Sequence, residues 1–359
     1  MRVLFAIGSL KYSGAERVLS ALALHLAEAG NDVHVVVTLP DGDVPTGLPY
    51  VVHHAAADGL RPVRILRRAA SLRRVVGLVA PDVTVSFGYP NNINSIPALL
   101  WNGVPHIACE RNNPLFDPPG TTPQFLRRLL YPLASGFVFQ TSVIRGMFSA
   151  DIQRRSTVIP NPVIDPPSDA EISDAMPDAR RRIVCIGRLS ARDKNQPLLI
   201  RAFARLAERF GDWDLELFGD GPDHGSYLRL ARDLGLSGRV RLEGFINDPY
   251  LALRKADIFA LPSRTEGMPN ALIEAMASGV PCVATDCSGG GAAALIEHGV
   301  NGLLCASDDE EGLVNALEHL MTDGALRESI GRAGMRIRSS HSMDTIAQAW
   351  LRMLNAYAR

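Results

Sequence analysis

The sequence of 359 residues lacks three features that would assign it to common protein classes. No apolar run approaches the ~20 residues that a helix needs to cross a bilayer. The five cysteines are scattered, and Cys282 and Cys287 have no second pair to complete a zinc site, so we expect free thiols in a reducing cytoplasm. No strand leads into a Gly-x-Gly-x-x-Gly loop followed about 20 residues later by an acidic residue, which argues against a nicotinamide-dependent oxidoreductase. Residues 1–7 are too short an apolar run for a signal peptide and are predicted to be a buried strand.

Charge is nearly balanced overall but unevenly distributed. The net charge is −1, with 37 basic and 38 acidic side chains. Residues 1–165 carry an excess of four positive charges, and the remainder carries an excess of five negative charges. The N-terminal half therefore suits an anionic partner or membrane surface, whereas a nucleic-acid partner is disfavoured because the whole chain is not basic.

Short runs rich in Val, Ile and Leu alternate with helical segments along almost the whole chain. Continuous apolar strands between amphipathic helices predict an α/β protein with parallel sheets that are covered on both faces. The predicted strands are 2–7, 32–39, 82–88, 104–110, 136–141, 157–160, 182–187, 214–218, 239–245, 257–261, 280–285 and 302–305.

A segment rich in proline and acidic residues begins at Asn161 and interrupts this alternation, which starts again at Arg182. We therefore predict two doubly wound, Rossmann-like lobes. The N-terminal lobe comprises residues 1–163 together with a last helix at 342–359 that crosses back onto it, and the C-terminal lobe comprises residues 164–341. Ligands of such sheets bind at the carboxyl ends of the strands, so we expect the lobes to face a central cleft.

The most informative motif lies at 263–281, between two predicted strands. Glu266 lies on the loop before a predicted helix, and Glu274 lies on its second turn. Pro269 suits the first turn, where its missing N–H costs nothing, and Gly279 ends the helix. The two carboxylates are predicted to reach different parts of one extended ligand, while the backbone N–H groups at the start of the helix face an anion. Glu274 stands in an apolar run, where an unpaired carboxylate would be costly.

This motif resembles the Glu-x7-Glu signature of the family 4 retaining glycosyltransferases, which have the GT-B fold. The resemblance extends over nearly the whole chain and implies that Glu274 binds the ribose diol of a nucleotide sugar. It implies that Glu266 binds the hydroxyls of the donor sugar, and that Arg188 and Lys194 bind the diphosphate. The other residues expected to bind the donor are Gly14, Gly187, Gly219, Gly221, Ile246, Met268, Pro269 and Asn270.

Stabilisation of the departing diphosphate is expected without a metal ion. Breaking the bond from the sugar to the phosphate leaves additional negative charge, which fixed cations and a helix N-terminus can stabilise. Asp41 and Asp43 imitate an Asp-x-Asp metal motif, but they lie in a loop with no further ligands. We therefore predict no metal site and no cofactor besides the sugar nucleotide as substrate.

The N-terminal lobe offers polar residues where a strand ends. Glu110 is a predicted catalytic group, and Arg111 and Asn112 are predicted to bind the acceptor; an ordinary polar loop is the alternative. Asn91 and Asn92 could contact sugars or cap a helix.

The acceptor side is marked by arginine. Between Asp58 and Asp82 there are six arginines and no acidic residue, and Arg64, Arg67 and Arg68 are predicted to bind the acceptor or an anionic bilayer. The alternative is an ordinary surface helix. A second basic and apolar patch is predicted around Phe125 and Leu129, with Arg127 and Arg128.

These features are similar to those of the transferases that extend polyprenyl-diphosphate-linked oligosaccharides with N-acetylgalactosamine or galactose. We therefore predict a metal-independent enzyme, monomeric or weakly dimeric, on the cytoplasmic face of the inner membrane. It would move a hexose or an N-acetylhexosamine from a UDP-sugar to a lipid-linked glycan. The alternatives are a soluble acceptor, GDP-mannose as the donor, and, more distantly, an oxidoreductase or a non-catalytic nucleotide-binding protein.

Overall fold

The computed structural model describes residues 1–10, 14–39, 47–55, 61–166, 168 and 180–358, with the backbone alone for 61–65. The chain divides into two compact units. One comprises Met1–Pro162 together with Met343–Arg359, and the other comprises Val163–Ser342. These bounds differ by one residue from those expected from the sequence.

The N-terminal unit is built on a seven-stranded parallel sheet with strand order β3-β2-β1-β4-β5-β6-β7. Its strands are β1 (Arg2–Ile7), β2 (Asp32–Val37), β3 (Val51–His54), β4 (Val83–Phe87), β5 (His106–Glu110), β6 (Gly136–Phe139) and β7 (Ser156–Val158). Six of these seven strands confirm the sequence prediction. The edge strand β3 was not predicted. The helices are α1 (Gly14–Glu28), α2 (Arg61–Val79), α3 (Tyr89–Leu99), α4 (Thr121–Leu130), α5 (Ser142–Gly146) and α6 (Ala150–Arg154).

The C-terminal unit contains a six-stranded parallel sheet with order β10-β9-β8-β11-β12-β13. Its strands are β8 (Arg181–Ile186), β9 (Trp213–Phe218), β10 (Val240–Gly244), β11 (Ile258–Leu261), β12 (Cys282–Asp286) and β13 (Leu303–Ala306), and all six were predicted. Its helices are α7 (Gln196–Ala207), α8 (His224–Asp233), α9 (Pro249–Leu253), α10 (Asn270–Ala277), α11 (Glu310–Thr322), α12 (Gly324–Gly334) and α13 (Ile337–Ser340).

The last helix, α14 (Met343–Tyr357), packs into the N-terminal unit. The Trp350 ring stacks on Phe87 with centroids 5.5 Å apart and meets Phe5 edge-on at 6.4 Å. Trp350 is 1% exposed, so the helix completes the core on the face of the sheet that α1 also covers. The chain thus begins and ends in the same hydrophobic cluster.

Both sheets are surrounded by apolar side chains, which explains the continuous hydrophobic strands in the sequence. All five cysteines are free and buried, and burial raises the pKa of each thiol, to about 12 for Cys185 and Cys287. Within the described ranges, no helix combines the length and apolarity that crossing a membrane requires.

Candidate active site

The loop after β11 holds Glu266 in a fixed position. The Glu266 side chain is 9% exposed, and its Oε1 accepts bonds from Lys194 Nζ at 2.6 Å and Ser263 Oγ at 2.7 Å. Thr265 and Ser288 form an isolated parallel bridge, in which the Glu266 backbone N–H donates to Ser288 O. The loop is therefore tied both to the loop after β8 and to the segment after β12.

The loop after β8 supplies two cations, Arg188 and Lys194. Lys194 closes a turn, with its N–H donating to Ser190 O at 2.8 Å, just before α7 begins. The Lys194 side chain passes over Gly187, where a Cβ would lie 3.8 Å from its Cδ and Cε. The exposed Arg188 guanidinium donates to Asp193 at 2.7 Å. The structure thus brings Lys194 and Glu266 into direct contact, while Arg188 points towards solvent.

The glycines after β9 permit close backbone packing. A Cβ on Gly219 would lie 2.1 Å from Gly187 O, and the φ of Gly219 is +136°. A Cβ on Gly221 would lie 2.3 Å from Leu189 O. These residues let the loop after β9 lie against the loop that carries Arg188, which the Gly-Asp-Gly-Pro pattern alone does not reveal.

Helix α10 carries Glu274 on its second turn, as predicted. Pro269 occupies the N-cap position and Asn270 is the first helical residue, so Pro269 lies one position earlier than expected. Glu274 is 4% exposed and Met268 is 7% exposed. A Cβ on Gly291 would lie 2.2 Å from Gly267 O, so the chain after β12 packs tightly against the start of this helix. The helix N-terminus, with its backbone N–H groups, therefore lies beside the loop that presents Glu266.

Ile246 is half-buried and lies elsewhere in the C-terminal unit. It lines a cavity of about 540 Å³ with Arg182, Phe218 and Leu251, and no residue of the Glu266 loop lines that cavity. Its predicted contact with the base therefore remains a prediction.

Some residues that hold the Glu266 loop in place were not predicted from the sequence. Ser263 is 0% exposed, and Thr285 in β12 is 1% exposed and donates to Ser263 O at 2.5 Å. Asp193 accepts from Arg188, and its backbone O also accepts from Arg264 N at 2.9 Å. Ser263 is the first residue of the motif. Its hydroxyl, three residues before Glu266, was the feature of the sequence from which this contact could have been predicted.

In the N-terminal unit, Glu110 is placed differently from the prediction. It is 1% exposed, and its Oε2 accepts from Arg127 Nε at 3.1 Å and Tyr131 OH at 2.6 Å. Its Oε1 has no hydrogen-bond partner in the part of the chain that the structure describes. Burial raises the pKa of the Glu110 carboxyl, and the Arg127 charge opposes that rise. Glu110 therefore belongs to a buried ion pair in this structure, and its predicted catalytic role remains a prediction.

The buried position of Arg127 contradicts its predicted place in the basic surface patch. Its guanidinium is 3% exposed and donates to Pro114 O at 2.9 Å and to Asp117 O at 2.6 Å, so it clamps the loop that follows β5. Arg128 on the same helix is exposed, with Phe125 and Leu129 63% and 56% exposed. Only Arg128 of the two arginines therefore belongs to the surface.

The remaining predicted residues of this unit divide between core and surface. Arg111 is 6% exposed and donates to Asn161 Oδ1 at 2.5 Å, so its predicted contact with the acceptor remains a prediction. Asn112 is exposed and bonds to Asp117, and Gly14 is the first residue of α1. Asn92 is buried and donates to Tyr131 OH at 3.1 Å, so neither capping nor sugar binding describes it in this structure.

Helix α2 carries the predicted arginine surface. Arg67 is exposed and Arg68 is half-buried, whereas the Arg64 side chain lies outside what the structure describes. The first turn of α2 has no acidic residue. Leu66 and Leu78 are 71% and 74% exposed, so the helix presents apolar as well as basic side chains.

The chemistry of the C-terminal site follows from these positions. Two cations and a helix N-terminus can stabilise a multiply charged anion, while two carboxylates can accept hydrogen bonds from hydroxyls. Across the described ranges there is no group of three or more His, Cys, Asp and Glu side chains that could hold a metal ion.

Comparison with protein families assigns both halves of the chain. The model described as glycosyltransferase family 4 matches residues 12–165, and the model described as glycosyl transferases group 1 matches residues 180–323. The two matches correspond to the two sheet-containing units.

Curated relatives include bacterial glycosyltransferases. The alpha-1,4-N-acetyl-D-galactosaminyltransferase of Campylobacter jejuni, whose name gives a PP-undecaprenol-linked glycan, is 26% identical over 99% of this chain and 98% of its own. A second C. jejuni transferase, which adds N-acetylgalactosamine to a diphospho-undecaprenol-linked glycan by name, is 37% identical over 41% of this chain and 39% of its own. An uncharacterised glycosyltransferase of Haemophilus influenzae is 31% identical over 47% of this chain. The chain spans about half or less of the length of the first curated relatives that it matches, 48%, 20% and 52%.

Solved structures show the same fold over the full length. HepE of Anabaena in complex with UDP-glucose gives a TM-score of 0.83 at 22% identity, covering 99% of this chain and 100% of HepE. Sucrose-phosphate synthase of Thermosynechococcus elongatus gives 0.83 at 17% identity, covering 99% and 98%. The fold is GT-B, as the sequence predicted.

Substitution of the packing glycines is expected to destabilise the C-terminal unit. Gly221→Ala places a methyl group against Leu189 O, so we expect a loss of about 1–3 kcal/mol. Urea unfolding measures this loss. Gly225→Ala in α8 is the matched control, because its Cβ would meet only the flexible Arg229 side chain, at 3.6 Å. Equal stability of the two variants would contradict the close-packing role.

Removing one member of the buried ion pair is expected to destabilise the N-terminal unit. Arg127→Met leaves the Glu110 carboxylate without its cation, at a cost of about 3–5 kcal/mol. Arg127→Met combined with Glu110→Gln should recover part of this loss in urea unfolding. Arg128→Met, on the exposed side of the same helix, should change stability by less than about 0.5 kcal/mol. A loss in Arg128→Met as large as in Arg127→Met would refute the assignment.

Proposed function

The chain belongs to the family 4 glycosyltransferases, and on that premise we propose that it moves a hexose or an N-acetylhexosamine from a UDP-sugar to a glycan acceptor with retention of configuration. The observation that carries this proposal is the contact between Lys194 and Glu266, which joins the loops that follow the carboxyl ends of β8 and β11, with Arg188 on the same loop as Lys194. The solved complexes of HepE with UDP and UDP-glucose support a UDP-sugar as the donor. The acceptor glycan would belong to cell-surface or protein glycan assembly.

The diphosphate of the donor binds the loop after β8 in this proposal. Arg188 is an exposed guanidinium at the end of a strand, and Lys194 has a flexible stem over Gly187. Both can reach an anion that lies on this loop. The backbone N–H groups at the start of α10 add partial positive charge without a metal ion.

The two carboxylates hold the hydroxyls of the donor. Glu274, four residues into α10, accepts hydrogen bonds from the ribose diol. Glu266 accepts from hydroxyls of the transferred sugar through the oxygen that Lys194 and Ser263 do not occupy. Met268, Pro269 and Asn270 place backbone groups beside these contacts.

The reaction proceeds on the face of the sugar from which the diphosphate departs. The bond from the anomeric carbon to the β-phosphate oxygen breaks as the acceptor oxygen bonds to that carbon, and the acceptor proton passes to the departing phosphate. Burial raises the pKa of the Cys287 thiol to about 12, which disfavours the thiolate that a nucleophile requires. Arg188 and Lys194 stabilise the charge that develops on the diphosphate.

The acceptor is a polyprenyl-diphosphate-linked glycan on an anionic bilayer in this proposal. The names of the C. jejuni relatives and the basic, partly apolar surface of α2 support it. The enzyme would then lie at the cytoplasmic face of the inner membrane.

A nicotinamide-dependent oxidoreductase or a non-catalytic nucleotide-binding protein is the competing class. A thermal-shift panel with UDP, UDP-sugars, GDP-mannose and NAD distinguishes a glycosyltransferase from these alternative functions. We expect stabilisation by UDP and UDP-sugars, and stabilisation by NAD alone would overturn the proposal.

Removing the predicted donor contacts is expected to slow transfer strongly without unfolding the protein. Lys194→Ala and Glu274→Gln should each lower kcat/KM by about 10²-fold, because each removes a preorganised contact to the donor. Sugar transfer to a membrane extract, followed by mass analysis of lipid-linked products, measures the loss. Arg332→Ala and Glu297→Gln are controls at exposed positions of the same unit. Wild-type rates in both site variants, or reversible loss of wild-type activity on adding EDTA, would contradict this mechanism.

Binding to anionic vesicles is expected to depend on α2. The protein should float with vesicles that contain phosphatidylglycerol, and Arg67→Gln combined with Arg74→Gln should weaken that association because two exposed charges are lost. Arg332→Gln with Arg336→Gln removes two exposed arginines from the C-terminal unit and serves as the control. Protein that stays in the aqueous fraction while still glycosylating a soluble acceptor would favour the soluble-acceptor alternative.

A further inference from the structure

The Glu266 carboxylate is held by two groups of different character. Lys194 Nζ and Ser263 Oγ both donate to Oε1, at 2.6 and 2.7 Å. No hydrogen bond to Oε2 is formed within the described residues. One oxygen is therefore engaged twice, and the other is available to a ligand.

Ser263 is anchored independently of Lys194. Only Pro262 separates Ser263 from the end of β11, and Ser263 is completely buried. The Ser263 carbonyl accepts a hydrogen bond from Thr285 Oγ1 at 2.5 Å. The Thr285 hydroxyl also lies 3.3 Å from Leu261 O. Thr285 belongs to β12, the neighbouring strand in the sheet, so the backbone that carries the Ser263 hydroxyl is fixed by that strand.

Lys194 has no such anchor at its charged end. Its side-chain nitrogen has one hydrogen-bond partner among the described residues, Glu266. A diphosphate beside Arg188 would compete with Glu266 for this ammonium, because phosphate oxygens are strong acceptors. Once Lys194 turns towards the diphosphate, the Ser263 hydroxyl is the side-chain contact that remains on Oε1.

We infer that Ser263 is a positioning residue that keeps Glu266 Oε2 directed at the transferred sugar after Lys194 has moved to the diphosphate. This inference rests on the proposed function, since it requires a donor whose sugar contacts Glu266. It separates two tasks: Lys194 binds the leaving group, and Ser263 orients the carboxylate that recognises the sugar.

The test compares a sugar nucleotide with its nucleotide. Ser263→Ala should raise the Kd for UDP-N-acetylgalactosamine, or for UDP-glucose if the donor panel selects it, by about 10-fold or more, because a hydrogen bond to a charged group is lost. The Kd for UDP should change less than about 2-fold, since UDP has no sugar for Glu266 to bind. Calorimetry measures both constants, and kcat/KM should fall in parallel with the affinity for the sugar nucleotide.

Two further variants distinguish positioning from a general structural role. Ser263→Cys keeps the volume but offers only a weak donor, so it should show the same selective loss if Ser263→Ala does not fold. Ser226→Ala removes a half-buried hydroxyl that donates to Asp223 O and should leave both Kd values unchanged.

The outcomes are separable from those of the proposed function. Unchanged affinity for the sugar nucleotide in both Ser263 variants, or equal losses for UDP and the sugar nucleotide, would overturn the positioning role. Failure of the wild-type protein to bind UDP, or wild-type transfer by Glu266→Gln, would overturn the proposed function itself. A selective loss in Ser263→Ala, with transfer abolished in Glu266→Gln, supports both.

Discussion

The bond between Lys194 and Glu266 is the interaction on which the C-terminal site depends. It joins the loop after β8 to the loop after β11, and Ser263 and Thr285 extend the connection to β12. A carboxylate that is 9% exposed is stabilised by this cation, so the bond favours the arrangement in which the two loops lie against each other. The geometry that stabilises the unit is therefore the same geometry that presents an ammonium and a carboxylate oxygen to a ligand.

The glycines near the site follow from that closure. Gly219, Gly221 and Gly291 each lie where a Cβ would fall within 2.3 Å of a backbone carbonyl oxygen. The loop after β9 can approach the loop after β8, and the segment after β12 can approach the loop after β11, only if there are no side chains at these points. The glycines in this part of the sequence are therefore required by close packing of one backbone segment against another. Any contact with a nucleotide would be a second role.

The sequence predicted the elements well because a strand buried on both faces has an unmistakable apolar run. Strand β3 was not predicted because Val51–His54 is a four-residue edge strand with no fully buried side chain. The Glu-x7-Glu motif placed Glu266 and Glu274 correctly, since both positions depend on the local loop and helix. The buried pair of Glu110 and Arg127 was not predicted because the two residues are seventeen positions apart, and only the tertiary structure shows that the arginine turns inward.

Glu110 and Glu266 show why position at a strand end does not by itself define a functional carboxylate. Each follows or ends a parallel strand, and each is paired with a cation. Arg127 donates to two backbone carbonyls as well as to Glu110, so its exchange to a ligand would leave several buried groups unsatisfied. Lys194 makes a single side-chain bond within the described residues and can leave Glu266 while Ser263 still holds the carboxylate. On the proposed function, the difference between the two carboxylates therefore lies in how many hydrogen bonds the paired cation must break to bind a ligand.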